Sequence, residues 1–188
     1  CRSFHTDEPT DESIIVNADG TPRNTFVRIK KGLEDLKFPV PRKAAVINQK
    51  GGSAISLAHD VTNQDEWPQV VQTAVKEFGS LDILVNNAGI SGAAGVAMED
   101  VDFEAWRQVM SVNLDAVFLG CQEAIRAMKD TGGSIINISS IMGIVGGAGA
   151  AYNASKGGVR LLTKSVAVYC GNIGYPIRCN SIHPGYIW

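Results

Sequence analysis

The sequence predicts an α/β fold: a doubly wound parallel sheet with helices on both faces. Three observations carry that expectation. Short apolar runs of strand length alternate with segments of helical periodicity, the pattern of parallel strands joined by helices. The runs are nearly continuously apolar, as in Ile135, Ile136 and Ile138, which suits strands covered on both faces. Polar residues that could do chemistry fall directly after the strands, where open α/β sheets place their ligands.

Residues 1–12 are polar and acidic and are expected to form a loose end. Ile14–Asn17 and Thr25–Lys30 are strand-like runs around Asp19-Gly20 and Pro22, so a hairpin is expected. Lys31–Leu36 suits one helical turn, which Phe38-Pro-Val-Pro41 breaks. The texture changes at Arg42. We therefore divide the chain into an atypical leader, 1–41, and a second region, 42–188. In that region Lys43–Lys50 suits a helix end closed by Gly51-Gly52. Ala54–His59 suits a strand, and Asp65–Phe78 an amphipathic helix with Trp67, Val70, Val71, Ala74, Val75 and Phe78 inward. A strand at Leu81–Val85 precedes Asn86-Asn-Ala-Gly89. A long helix follows over about Asp102–Met128, with Trp106, Met110, Leu114, Val117, Phe118, Cys121 and Ile125 inward. Then come a strand at Ser134–Ile138, a helix over Tyr152–Cys170, and a strand at Ile177–Ile182 leading into His183-Pro-Gly-Tyr186.

Composition narrows the function. With 188 residues the chain is long enough for a real core, and 45% hydrophobic with 19% charged residues describes a globular protein. A net charge of −2 and the lack of a basic run argue against nucleic acid as a partner. No apolar run reaches the ~18 residues of a membrane span, so no membrane partner is expected. Cys1, Cys121, Cys170 and Cys179 lack metal or disulfide spacing, and His5, His59 and His183 are scattered. We expect no metal, reduced thiols and a cytoplasmic location.

Ala44–Gly52 looks like a strand feeding a phosphate loop. A P-loop requires Gly-Lys-Ser/Thr, but Lys50 precedes the glycines and Ser53-Ala-Ile-Ser56 follows them. The stronger signal is a set: Asp60-Val61, Asn86-Asn-Ala-Gly89, a mid-helix Asn113, Ser139-Ser140, Tyr152-x-x-x-Lys156 and Pro184-Gly185. Tyr152 and Lys156 share a helix face, and an ammonium beside a phenol favours the phenolate, which suits proton exchange.

From about Arg42 onward this set resembles the classical short-chain dehydrogenase/reductase family, with its Rossmann-like sheet. The resemblance implies an NAD- or NADP-dependent oxidoreductase interconverting a secondary alcohol and a ketone. The His183–Ile187 ending resembles the branch that acts on hydroxysteroids and cyclic alcohols. Carried over, Tyr152 is the general acid/base, Lys156 assists it and binds the nicotinamide ribose, Ser140 holds the substrate oxygen, and Asn113 holds a relay water. Asp60 and Val61 would meet adenine. Asn87, Ala88 and Gly89 would admit the dinucleotide, and Pro184, Gly185 and Ile187 would flank the nicotinamide. The family's opening T-G-x-x-x-G-x-G turn does not occur before Arg42, and the chain stops at Trp188. The resemblance thus implies a sheet incomplete at both ends. It also implies a homo-oligomer built on the two long helices, which carry apolar pairs such as Val117 with Leu119 and Leu162 with Val166. The alternative is a degenerate, non-catalytic relative acting in binding or oligomerisation.

Overall fold

The structure, a computed structural model, describes residues 13–16, 24–29, 41–92, 95–147 and 149–185. The expected loose end, hairpin turn and helical turn at Lys31–Leu36 lie outside these residues, as does Ile187. Six strands form one sheet in the order β3-β2-β1-β4-β5-β6. They are β1 (Ser13–Val16), β2 (Asn24–Ile29), β3 (Ala58–His59), β4 (Ile83–Asn86), β5 (Gly133–Ile138) and β6 (Ile177–Ile182). β4, β5 and β6 are parallel neighbours, as the sequence predicts, in registers such as Asn86↔Asn137 and Ile138↔Ile182. β1 runs antiparallel to both β2 and β4, and β2 runs parallel to β3. The leader strands therefore sit inside the sheet, and β1 alone opposes the common direction.

β3 is shorter than the run Ala54–His59 suggests. Asn48 diverts the first part of that run: its Oδ1 accepts from Ala54 N at 2.7 Å and its Nδ2 donates to Ala54 O at 3.0 Å. These backbone groups are thus satisfied by helix α1 (Pro41–Gln49) rather than by a neighbouring strand. Gly51, at φ 84°, ends that helix region in the left-handed conformation, so Lys50-Gly-Gly52 is a helix end and not a phosphate loop.

Helix α2 (Trp67–Phe78) buries Trp67, Val70, Val71, Ala74 and Phe78; Val75, expected inward, is exposed. Gly79, at φ 89°, closes it with its N–H on Val75 O. The long helix is three pieces: α3 (Phe103–Met110), a π-helical turn over Ser111–Asp115, and α4 (Ala116–Met128). Beyond the π turn Val117 and Cys121 are buried as expected, while Phe118, expected inside, is 49% exposed. Helix α5 (Ala150–Ile173) begins one half-turn before Tyr152. The main core joins Leu81, Leu84, Ile135, Val159, Ala124 and Met128 between sheet and helices.

Candidate active site

Because β4, β5 and β6 run the same way, their carboxyl ends share one rim. The loops at Asn87–Ile90, Ser139–Gly143 and His183–Gly185 leave from it, and α5 starts above it. The rim is stitched by backbone bonds that extend the ladder: Ser139 N donates to Ile182 O at 2.8 Å, and Ile141 N to Pro184 O at 2.9 Å.

Lys156 lies beneath this rim, only 4% exposed. Its Nζ donates to Ile138 O at 2.9 Å and stands 5.7 Å from the centre of the Tyr152 ring. Burial holds its pKa down at about 8, against an ordinary 10.5. An ammonium has three donors, and Ile138 O takes one of them. Gly89 faces the same point: a Cβ there would come within 3.3 Å of Lys156 Nζ and 3.4 Å of Asn113 Oδ1. The missing side chain leaves the ammonium room on that side.

Asn113 is fully buried in the π turn, and its amide is heavily engaged. Oδ1 accepts from Ile90 N at 2.8 Å; Nδ2 donates to Ile90 O at 2.9 Å and to Ser155 Oγ at 3.1 Å. The side chain pins the loop after β4 to α5. For a relay water it has only the second lone pair of Oδ1.

The two serines differ in what their hydroxyls do. Ser139 Oγ donates to Lys156 O at 2.8 Å and is committed to the helix backbone. Ser140 Oγ accepts from Met142 N at 3.1 Å, so its proton is left for another acceptor. This distinction favours Ser140 over Ser139 as a donor to a ligand. Beside Tyr152 opens a cleft of about 350 Å³, walled by Val96, Met98, Trp106 and Val109 with Asp102 at its edge. Of the four expected catalytic residues only Tyr152 lines it; Lys156, Asn113 and Ser140 are buried and are not part of its lining.

Asp60 and Val61 lie after β3. The Asp60 carboxylate turns onto its own loop, accepting from Thr62 N at 3.0 Å and Thr62 Oγ1 at 2.7 Å. Val61 packs with Trp67, Ala88 and Ala116, which brings the end of β3 against the Asn86–Gly89 motif. Beside them His59 is buried edge-on to Trp67, at 4.6 Å, with both ring nitrogens unpartnered. That burial lowers its pKa. Asn87 is half-buried, and Pro184 and Gly185 follow β6 on the rim. The described residues suit the ribose–nicotinamide end of a dinucleotide, through the unfilled space at Gly89 and the spare Lys156 donors. They offer no glycine-rich phosphate cradle. The sequence reading missed Ile90, Ser155 and His183. Ile90 contributes through its backbone, which no side-chain pattern reveals. His183 adjoins Pro184-Gly185, and that adjacency was its only signal.

The profile of the short chain dehydrogenase family matches residues 37–188. The chain is 40% identical over 164 residues to the NADP-dependent (R)-specific alcohol dehydrogenase of Lentilactobacillus kefiri, covering 82% of this chain and 64% of that protein. It is 50% identical over 135 residues to the trans-4-hydroxycyclohexanecarboxylate dehydrogenase of Sinomonas cyclohexanicum, covering 71% of this chain and 51% of that one. Its fold superposes on a crystal structure of NAD+-bound xylitol dehydrogenase with a TM-score of 0.76 at 31% identity, covering 86% of this chain and 60% of the other. The chain thus spans roughly half to two thirds of these relatives, 51–64% in the two curated cases.

Proposed function

The chain belongs to the short-chain dehydrogenase family, and from that premise we propose that it carries the catalytic residues of an NAD- or NADP-dependent oxidoreductase interconverting a secondary alcohol and a ketone. The observation that carries the proposal is the buried Lys156 ammonium opposite Gly89, 5.7 Å from the Tyr152 ring. A nicotinamide dinucleotide, when bound, exchanges the hydride. The residues of this chain do the rest. Tyr152 gives its phenolic proton to the nascent alkoxide in reduction and takes it back in oxidation. Lys156 favours loss of that proton by its charge and binds ribose hydroxyls through its spare donors. Ser140 donates its free hydroxyl proton to the substrate oxygen as charge develops there. Asn113 holds the Ile90 loop against α5 and offers a lone pair to a relay water. Asp60 and Val61 meet the adenine; Asn87, Ala88 and Gly89 admit the dinucleotide; Pro184, Gly185 and Ile187 flank the nicotinamide.

The apolar wall of the cleft suits a cyclic or hydroxysteroid-like alcohol. Residues 42–188 form the catalytic region and 1–41 a leader. The buried free thiols Cys121, Cys170 and Cys179 fit a reducing cytoplasm. Among the described residues no helix is long and apolar enough to cross a membrane. We assign a homo-oligomer to the α4–α5 face, where Phe118 and Tyr169, each about half exposed, line a groove of about 420 Å³ and where Leu161 and Val168 of α5 are exposed too. Of the residues expected to serve that face, Leu162 and Val166 line the groove, Val166 joining the core as well, whereas Val117 belongs to the core alone.

The test adds a family-type opening strand, glycine turn and second strand before Arg42, and a family-type closing segment after Trp188, to give an extended protein. We expect the 188-residue chain to reduce ketones poorly with either dinucleotide, because the described residues offer no glycine-rich amide cradle for the pyrophosphate. The extended protein should turn over, and Tyr152→Phe should abolish turnover while leaving dinucleotide titration nearly unchanged. Normal turnover by that variant removes Tyr152 from the mechanism. Failure of the extended protein to bind either dinucleotide favours the non-catalytic alternative.

A further inference from the structure

Resting on the role given to Ser140 above, we propose that His183 is a positioning residue, which fixes the Ser140 peptide relative to the loop that begins at Pro184. His183 Nδ1 lies 3.2 Å from Ser140 O, and its Nε2 lies 2.9 Å from Ser181 Oγ. A carbonyl oxygen only accepts, so Nδ1 carries the proton. In the neutral ring Nε2 is then the acceptor, and Ser181 Oγ donates to it. The Ser140 carbonyl thereby sets the tautomer, and the Ser181 hydroxyl matches it by donating to Nε2.

The contact lies at a junction. Ser140 O also accepts from Gly143 N at 2.9 Å, so its two lone pairs are shared between its own turn and the end of β6. Its neighbours Ser139 and Ile141 are already tied to Ile182 and Pro184 through their amides. Ser140 itself has no backbone bond to β6; the imidazole supplies that link. One face of the peptide is held by His183, and the hydroxyl is oriented by Met142 N. What remains free is the hydroxyl proton. Pro184 and Gly185 directly follow His183, so the ring also fixes the spacing between the serine and the segment assigned to the nicotinamide. A shift of about 1 Å at such a junction is enough to cost about 100-fold in rate.

The first measurement needs neither variant nor turnover. Imidazole nitrogen NMR of the 188-residue chain near neutral pH should show His183 protonated at Nδ1 and bare at Nε2. A ring protonated at Nε2 and bare at Nδ1 overturns the proposal, since it could not donate to the carbonyl. The second measurement uses the extended protein. His183→Ala should lower kcat about 10- to 100-fold and leave the dinucleotide KM within about twofold. His183→Asn, whose amide nitrogen replaces Nδ1, should recover most of the loss; His183→Gln, which places its donor near Nε2, should not. In a Ser140→Ala background, His183→Ala should cost less than about twofold more. A plain staple between β5 and β6 predicts otherwise: Asn and Gln equally impaired, and losses that multiply with Ser140→Ala. Either result overturns the proposal. Failure of the Tyr152 mechanism would appear as turnover by Tyr152→Phe, whereas the tautomer measurement reports on His183 alone.

Discussion

Replacing Lys156 by methionine should stabilise the chain near neutral pH and destabilise it in strong base. The lysine is 4% exposed, and burial is the cause of its lowered pKa. A fall from 10.5 to about 8 means that the charged form is disfavoured in the folded state by about 3 kcal/mol. Methionine has similar length and no charge, so it removes that cost. It also leaves Ile138 O without its donor at 2.9 Å, a loss of about 1–2 kcal/mol. The net expectation is a gain of about 1–2 kcal/mol at about pH 7. The pH dependence follows from the proton count. Between about 8 and 10.5 the unfolded chain holds a proton on Lys156 that the folded chain has released, so the stability of the native protein rises through that window. Above it the lysine is neutral in both states, the charge penalty is gone, and only the lost hydrogen bond distinguishes the variant. Lys156→Met should therefore be more stable than the native chain below the window and less stable above it. Urea denaturation of both proteins across the window reads the crossing directly. A variant less stable near neutrality, or a difference that does not change with pH, would falsify the account of a buried, unpaired ammonium.

Gly89→Ala should fold with a change under about 1 kcal/mol, because the neighbouring Lys156 Nζ and Asn113 Oδ1 at 3.3 and 3.4 Å can give slightly. Dinucleotide affinity in the extended protein should fall by at least about tenfold by titration, if that space is the ribose side of the site. Gly120→Ala is the contrast: its Cβ would overlap Asn86 Oδ1 and come within 2.8 Å of Trp67, so thermal melting should show a loss of about 2–3 kcal/mol. Asn113→Ala deprives both polar groups of the Ile90 backbone of their partner and should cost about 2 kcal/mol or more in urea titration. On the α4–α5 face, Phe118→Glu with Tyr169→Glu should give a monomer by light scattering at micromolar concentration, while the native chain scatters as an oligomer; a native monomer removes the assembly assignment.

The three parallel strands were legible because each is a short apolar run ending in a polar motif, and nothing local competes with that pattern. β3 was misjudged where a side chain competed: Asn48 satisfies Ala54 on both backbone atoms, and the sequence around Ala54 holds no trace of it. The leader hairpin was legible as two strands, but its insertion between β3 and β4 was not, because pairing partners at long separation leave no local signal. The long helix was legible in extent and largely in phase: beyond the π turn Val117 and Cys121 are buried and Ile125 packs on the core as expected, and Phe118 alone of that set faces out. The site divides in the same way. The i, i+4 spacing puts Tyr152 and Lys156 on one face, but that Lys156 turns back to Ile138 O, outside the cleft, depends on the strand beneath it.

Below that rim lies a buried polar cluster that explains how three strand ends keep a fixed spacing. Asn137, on β5 between β4 and β6, is fully buried at 0% exposure. Its Oδ1 accepts from Asn86 Nδ2 at 2.8 Å, and its Nδ2 donates to Thr163 Oγ1 at 3.0 Å, so β4, β5 and α5 are joined through one amide. Weaker contacts at 3.6 Å reach Cys121 on α4 and Cys179 on β6. The Cys179 thiol gives its hydrogen to Cys121, which pushes Cys179 up and Cys121 down in pKa. A buried amide is costly unless every donor and acceptor finds a partner, and these partners come from four elements besides β5 itself. The satisfied arrangement therefore exists in only one relative placement of those elements. That placement sets Gly89, three residues past Asn86, opposite Lys156, seven residues before Thr163 on the same helix. A leucine at 137 would fill the same volume, yet it would leave Asn86 Nδ2 only its 3.7 Å contact with Cys121 Sγ and Thr163 Oγ1 only its bond to Val159 O, and would remove the side-chain link between β4 and β5. The polar centre thus trades hydrophobic stability for a defined geometry at the rim.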